Sequence, residues 1–460
     1  MRRRIGIGPA RAGYRRRELL GGLLSAAGAG AAAALGVQGY VHRERELEDL
    51  PEGYRLGILA GVDESSGAQR EMLVRQWNRL HEHHQAEIRD LPPNADLQYN
   101  GMHAALQARD TDVDLVAVDI AWIAEFAEQG YLRRLEHLAD DGFLRAPFQA
   151  GVIGGDVYAL PFNSDVGLLY YRRDLLDEDD EPSRWGWEEF AERAEALTDA
   201  LVGSSAHPGL EGGIAMQLAP YEGFTVNVWE VLLSNGAEPV REDLIQIADD
   251  PLTVPALNRL QGMVNRGTVL RDSLAFDEAG SLTAFLEGRT VFLRHWPRAY
   301  HQLLASTADL DVGVAPMPGR GVLGGQSLAV AASSRFPVVS QALAEFLTGD
   351  RSQQLLFERG GFAATRPEPY EDADLRNDAY GPPAKAGGGS GGAAPAVGFP
   401  IEDVAVLEGG LRDAGLRPAV DHYKRFSEVF SDYLHGILSN GEEVDAERLQ
   451  TDLEQAVEGK

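Results

Sequence analysis

The chain has 460 residues, with 42 Lys and Arg against 71 Asp and Glu, for a formal charge of −29. The first 17 residues hold seven Arg and no acid, so residues 18–460 carry −29 − 7 = −36. No Lys/Arg-rich stripe remains beyond them, which excludes a nucleic-acid-binding protein. The lack of any cysteine rules out disulfides and a lipid-modified N-terminal cysteine.

Arg16-Arg17-Glu18-Leu19-Leu20 is followed by an uncharged, Ala- and Gly-rich run from Leu19 to Val41. A basic region before a weakly apolar one reads as an export signal of twin-arginine type over residues 1–41. The run is long enough to span a bilayer but poorly apolar, and if uncleaved it could serve as a membrane tether. The expectation is an exported, extracytoplasmic protein. The remaining length suits two or three domains.

After an acidic spacer, Tyr54–Ala60 reads as a strand and Gly61–Gly67 as a loop. Ala68–His81 follows as a helix, with Leu73, Trp77 and Leu80 at helical spacing. Glu87–Leu91 is a strand stopped by Pro92-Pro93, and Ala95–Ala108 a helix. Asp114–Val118 is a buried strand delivering Asp119 to its carboxyl end, with Trp122 in the first turn of the next helix. The alternation predicts an α/β fold with mainly parallel sheet. Val157–Tyr171 reads as two strand pieces joined by a turn at Asn163-Ser164-Asp165. Helices are expected at Trp187–Leu201, Tyr221–Asn235, Leu252–Asn265 and Gly280–Glu287, and strands at Thr290–Leu293 and Val312–Pro316. Gly324–Ala331 leads into helices at Val338–Leu347 and Ser352–Arg359. The Gly-rich stretch at about 381–400 lacks the Gly-Lys-Ser/Thr ending of a phosphate loop and reads as an inserted linker. Helices at Pro418–Leu438 and Asp445–Val457 close the chain.

Ligands of open α/β sheets bind beyond the carboxyl ends of the strands. Asp119 and Trp122 therefore point to one crevice. A carboxylate that accepts from two hydroxyls beside an aromatic face suits a small polyhydroxylated ligand. The plain alternatives are an N-capping Asp and a core Trp. His81-Glu82-His83-His84 has two His on one helical face but no partner cluster of zinc spacing, and reads as a solvated helix end. Trp185, Trp187 and Trp229 read as packing residues. No signature of a Ser-His-Asp hydrolase, metalloprotease or phosphate loop appears, so no cofactor or metal is expected.

Several pieces in order resemble the extracellular solute-binding proteins of ABC sugar importers, the group that includes maltose- and trehalose-binding proteins. They include DLVAVDIAWIAEF from Asp114, GDVYALPFNSDVGLLYYRRDLL from Gly155, YEGFTVNVWEVLLSNG from Tyr221, FLEGRTVFLRHWPRAY from Phe285, GGQSLAVAAS from Gly324 and RPAVDHYKRFSEVF from Arg417. YEGFTV, with RPAV followed by a Tyr, is most similar to the trehalose-type branch.

The resemblance implies a two-lobed fold of the periplasmic-binding-protein type, with hinge crossovers and a ligand cleft between the lobes. One lobe would comprise 53–162 plus 319–365 and the other 166–313 plus 366–460. The crossovers would fall near Asn163–Asp165, Val314–Pro318 and Arg366. It implies a monomeric, non-enzymatic receptor that closes on an oligosaccharide and docks on the transmembrane subunits of a permease. By the family pattern Asp119, Trp122, Asn163, Asp165, Tyr221, Glu222, Trp296, Gly324, Gly325 and Arg417 would face the ligand. Glu222 could instead be a favourable charge at a helix start, and Trp296 could be packing rather than a stacking platform. Gly324-Gly325 could admit close backbone approach or form a plain turn. Arg417 could fork onto vicinal hydroxyls or pair with Glu222 or Asp119. Asp63 and Glu64, in the loop after the first strand, are candidates of equal standing either way. A secreted glycoside hydrolase using Asp119 and Glu222, and a receptor for a non-sugar solute, are the alternatives.

Overall fold

A computed structural model describes residues 47–460 except 64, 66–67, 137, 139–141, 242–243, 307–309 and 372–400. The leader, Glu64 and the Gly-rich stretch lie outside the described residues. Among those described, no helix is long and apolar enough to cross a membrane.

The fold is two-lobed α/β, each lobe built on one sheet. The first sheet contains β1 (Leu56–Gly61), β2 (Ala86–Leu91), β3 (Leu115–Asp119), β6 (Ala159–Val166) and β13 (Leu323–Val330), in the order β2-β1-β3-β13-β6. The second contains β7 (Leu168–Arg172), β8 (Gly212–Ala215), β11 (Thr290–His295) and β12 (Val312–Pro316), in the order β12-β7-β11-β8. Two short hairpins complete the strands: β4 (Val152–Ile153) with β5 (Asp156–Val157), and β9 (Val240–Arg241) with β10 (Leu244–Ile245).

Successive residues of a strand face opposite sides, so a sheet covered on both faces needs apolar residues at every position. β1 meets this with LGILAG, all buried. Ile58 enters a core with Trp77, Leu115, Leu328 and Leu343, whereas Leu59 faces Met102, Val116 and Phe126. In the second sheet Leu168 and Tyr170 pack with Leu293 and Leu407, and Leu169 lies on the other face with Phe292 and Trp229. The spacer before β1 also contributes. Glu48 accepts the Val338 and Val339 amides at 3.0 and 2.7 Å, capping the helix Pro337–Leu347 with negative charge.

Two expectations need correction. The sheets are not mainly parallel: β1 pairs in parallel with β2 and β3, and β11 with β8, but β13 runs antiparallel to β3 and β6, and β7 to β11 and β12. A strand that returns from the other lobe enters its sheet from the opposite end, which reverses it. Asn163-Ser164-Asp165 is also not a turn. β6 runs unbroken through it, because Gly324, Gly325 and Gln326 of β13 lie opposite Asp165, Ser164 and Asn163. The chain changes sheets at Gly167, between β6 and β7, and again between Pro316 and Leu323. Pro161 is tolerated because β6 is an edge strand, with the register slipping beside it.

Two C-terminal helices, Tyr423–Asn440 and Ala446–Val457, pack together, and the first also lies on the helix Glu222–Ser234. Residues 418–422 are not helical, so Arg417 sits in a non-helical segment before the helix. The helix Ile401–Asp413 was not anticipated, nor was the short strand β8.

Candidate functional site

β3 ends on Asp119 because the next residue turns into a short 3-10 helix, Ile120–Trp122. The Asp119 carboxylate caps that turn, its Oδ1 accepting the Ala121 amide at 2.9 Å. The same oxygen accepts from Arg417 Nη2 at 2.8 Å, while the side chain keeps 21% exposure. Both bonds land on Oδ1. Asp119 lies opposite Gln326 on β13, and Gln326 lies opposite Asn163 on β6. Three polar side chains from adjacent strands thus line up across the end of the first sheet.

The opposite wall starts at the helix Glu222–Ser234. Glu222, its first residue, is buried and fully engaged. Oε1 accepts from Arg417 Nη1 and from the Tyr423 hydroxyl, both at 2.6 Å, and Oε2 accepts from the Ser427 hydroxyl at 2.7 Å. Burial raises its pKa above the usual carboxylate range, against the pull of Arg417. Burial would lower the Arg417 pKa, but Asp119, Tyr423 and Glu222 outweigh it and the net shift is upward. Arg417 is thus a fixed cation between two carboxylates. Its buried Nε makes no hydrogen bond among the described residues.

Trp296 follows the last residue of β11. Its indole N–H points to Glu278 Oε1 at 3.3 Å, and Glu278 Oε2 accepts the Tyr221 hydroxyl at 2.8 Å. Burial, then Glu278, raises the Tyr221 pKa well above its usual value. The Arg294 guanidinium lies 4.0 Å from the Trp296 ring centroid, within cation–π range. His295 fixes the backbone here: its Nδ1 accepts the Trp296 amide at 2.9 Å, so the proton sits on Nε2, which donates to the Glu278 carbonyl at 3.1 Å. Burial, then Arg298, lowers its pKa to about 3.

Gly324 is where β13 meets the indole. A Cβ there would stand 2.9 Å from Trp296 Cζ3, so only glycine lets the ring lie against the strand. Gly325 has φ +110°, and a Cβ on it would collide with the Asn163 carbonyl oxygen. This pair is strand with a backbone requirement rather than a plain turn.

One cleft is lined by Asp119, Trp122, Asn163, Asp165, Tyr221, Glu222, Trp296, Gly324, Gly325 and Arg417. Its cavity volume is about 140 Å³, below the span of small-molecule sites, on the order of 300–1,000 Å³. Trp122 contributes little more than an edge, being 1% exposed and packed against Tyr99. Asp63 does not join the cleft lining: it accepts from the Ser65 amide and hydroxyl and from the Glu71 amide, holding its own loop to the next helix. The helix-end His81 stacks on Trp77 at 3.7 Å. Among the described residues no His, Asp or Glu group is arranged to hold a metal ion.

Sequence reasoning missed Gln98, Glu278 and Gln326 in the lining, and Ser427 behind it. Gln326 was within reach, two residues after Gly324 on a strand. Glu278 shares with Glu222 only its place at a helix start, which marks no function by itself. Tyr423 lies in the quoted RPAV…Tyr segment, and its role here is to hold Glu222.

The model for bacterial extracellular solute-binding proteins matches residues 61–354, more than half of the chain. A probable ABC transporter-binding protein of Deinococcus radiodurans is 29% identical over 302 residues, 62% of this chain and 70% of that protein. Maltose-bound MalE3 of T. maritima superposes with a TM-score of 0.72 at 24% identity, covering 88% of this chain and 99% of that one. The GacH receptor of Streptomyces glaucescens GLA.O gives 0.68 at 20% identity, covering 88% and 98%. The chain belongs to the bacterial extracellular solute-binding proteins.

Proposed function

We propose that this protein captures an oligosaccharide, a disaccharide of the maltose or trehalose type, outside the cytoplasm and delivers it to an ABC permease. In this reading residues 53–166 plus 319–365 form one lobe and 168–313 plus 366–460 the other, and they close on the guest between them. The carrying observation is the cleft itself. Segments far apart in the chain bring Asp119, Asn163, Gln326, Tyr221, Trp296 and Arg417 to one cavity. Flat rings suit the C–H face of a sugar, and carboxylate and amide groups suit its hydroxyls. The cargo of structural relatives, among them maltose, acarbose and maltotetraose, supports the class.

Affinity would come from contacts completed on closure, the two lobes sharing the ligand. The test is a thermal-shift panel of maltose, trehalose, longer maltodextrins, polyols and amino acids. A ligand at a hundredfold excess over its Kd stabilises the folded form by about 2.7 kcal/mol. A selective shift with one disaccharide and intact sugar recovered afterwards is the expected result. A shift only with non-sugars would overturn the cargo, and released monosaccharide would favour hydrolysis.

A further inference from the structure

Arg294, in β11, and Glu230, in the helix Glu222–Ser234, form an ion pair with no exposed side-chain surface on either partner. Two bonds close it, Nε to Oε2 at 2.7 Å and Nη2 to Oε1 at 2.8 Å, and Nη1 reaches Gln217 Oε1 at 3.2 Å. Burying two charges costs several kcal/mol each by desolvation, and apolar replacements are often no less stable. Its surroundings suggest what it does besides hold the core together.

The pair has three neighbours of consequence. The guanidinium lies 4.0 Å from the ring centroid of Trp296, on the cleft wall. Glu230 Oε1 accepts the amide of Val322 at 3.0 Å, at the end of the crossing from β12 to β13. Gly167, the single residue of the crossing from β6 to β7, passes so close that a Cβ on it would collide with Glu230 Oε1 and stand 2.9 Å from Arg294 Nη2. One buried pair therefore touches the aromatic wall of the cleft and both connections between the sheets.

We propose that Arg294 and Glu230 are positioning residues that set the Trp296 ring and the two sheet-to-sheet crossings together, coupling guest stacking to lobe movement. This rests on the capture reading given above. Domain closure concentrates backbone rotation in a few hinge residues. A ring that shifts under a stacked guest moves against Arg294, the bidentate carboxylate moves with the guanidinium, and the Val322 amide moves with the carboxylate.

The test uses the full chain carrying Glu230→Gln and Arg294→Met together, so that no lone charge is left buried. Two readouts need no ligand. Acrylamide quenching assigned to Trp296, by difference from a Trp296→Phe background, should rise at least twofold. Amide exchange at 167–168 and 321–323 should accelerate at least tenfold while β1 to β3 keep their protection. Whichever of maltose and trehalose stabilises the unmodified protein should then bind at least tenfold more weakly. A folded double variant with unchanged quenching and exchange would overturn the proposal, and so would exchange that accelerates evenly everywhere. If the double variant does not fold, Arg294→Lys, which keeps the charge but not the planar fork, is read the same way. Should neither sugar bind the unmodified protein, the cargo reading falls, while the two ligand-free measurements still decide the coupling.

Discussion

Acid should unseat the cleft wall through His295. Its imidazole is 1% exposed and neutral, with Nδ1 accepting from the Trp296 amide and Nε2 donating to the Glu278 carbonyl. A second proton would place a donor against a donor at Nδ1. Its pKa is lowered from 6.5 to about 3, by burial first and then by Arg298. Below pH 6.5 the unfolded chain takes a proton here that the native protein refuses. This contribution to stability therefore falls as pH drops through 6.5 and goes on falling until about 3, where the native ring protonates too. At pH 5 that is about 1.5 pH units at roughly 1.4 kcal/mol each, or about 2 kcal/mol lost relative to neutral pH. His295→Gln keeps an acceptor and a donor but cannot titrate. Urea unfolding at pH 7 and pH 5 should show the unmodified protein losing about 2 kcal/mol more than the variant. Equal losses would refute the assignment of a buried neutral imidazole.

The other expectations follow from the same contacts. Arg417→Met strips two charge-assisted bonds and leaves Glu222 buried without its cation, so urea unfolding should show a loss of about 3–5 kcal/mol. Trp296→Ala should abolish the ligand-induced melting shift while the unliganded protein still unfolds cooperatively; a retained shift would place the stacking surface elsewhere. Asp119→Ala should cost the unliganded protein about 1 kcal/mol in the same unfolding assay, because Asp119 also caps the turn after β3. Gly325→Ala forces a side chain into φ +110° against the Asn163 carbonyl and should lower stability by about 1–3 kcal/mol, with β6 and β13 the first strands to lose exchange protection.

Much of the cleft was legible because its residues sit at ends. Asp119 closes an apolar strand, Glu222 opens a helix, and Trp296 lies between a strand and a proline. Such positions show in local pattern and coincide with where α/β sheets hold ligands. What failed was long-range. Asn-Ser-Asp has the composition of a turn, and it is β13, with Ala363 bridging Ser164 on the other side, that supplies the backbone partners that make it strand. β8 is four residues, GGIA, too short and glycine-rich to announce itself, yet the parallel ladder with β11 holds it. Arg417 was read with pairing and ligand contact both open. Its neighbours come from the start of one helix and the end of a distant strand, which no local pattern reveals.

That arrangement also bears on capture against hydrolysis. A glycosidase needs one carboxyl that can give a proton and another that is ionised, set roughly 5–9.5 Å apart across the bond to be cut. Glu222 has the raised pKa an acid would need, but both its oxygens already accept, from Arg417, Tyr423 and Ser427. Asp119 is bound to the same guanidinium, so a cation bridges the two carboxylates. Charges compensated in this way suit recognition, because a carboxylate held in place can accept from hydroxyls. In a receptor the useful work would be mechanical, and the route proposed for it runs from Trp296 and the pair behind it to the two crossings of the chain.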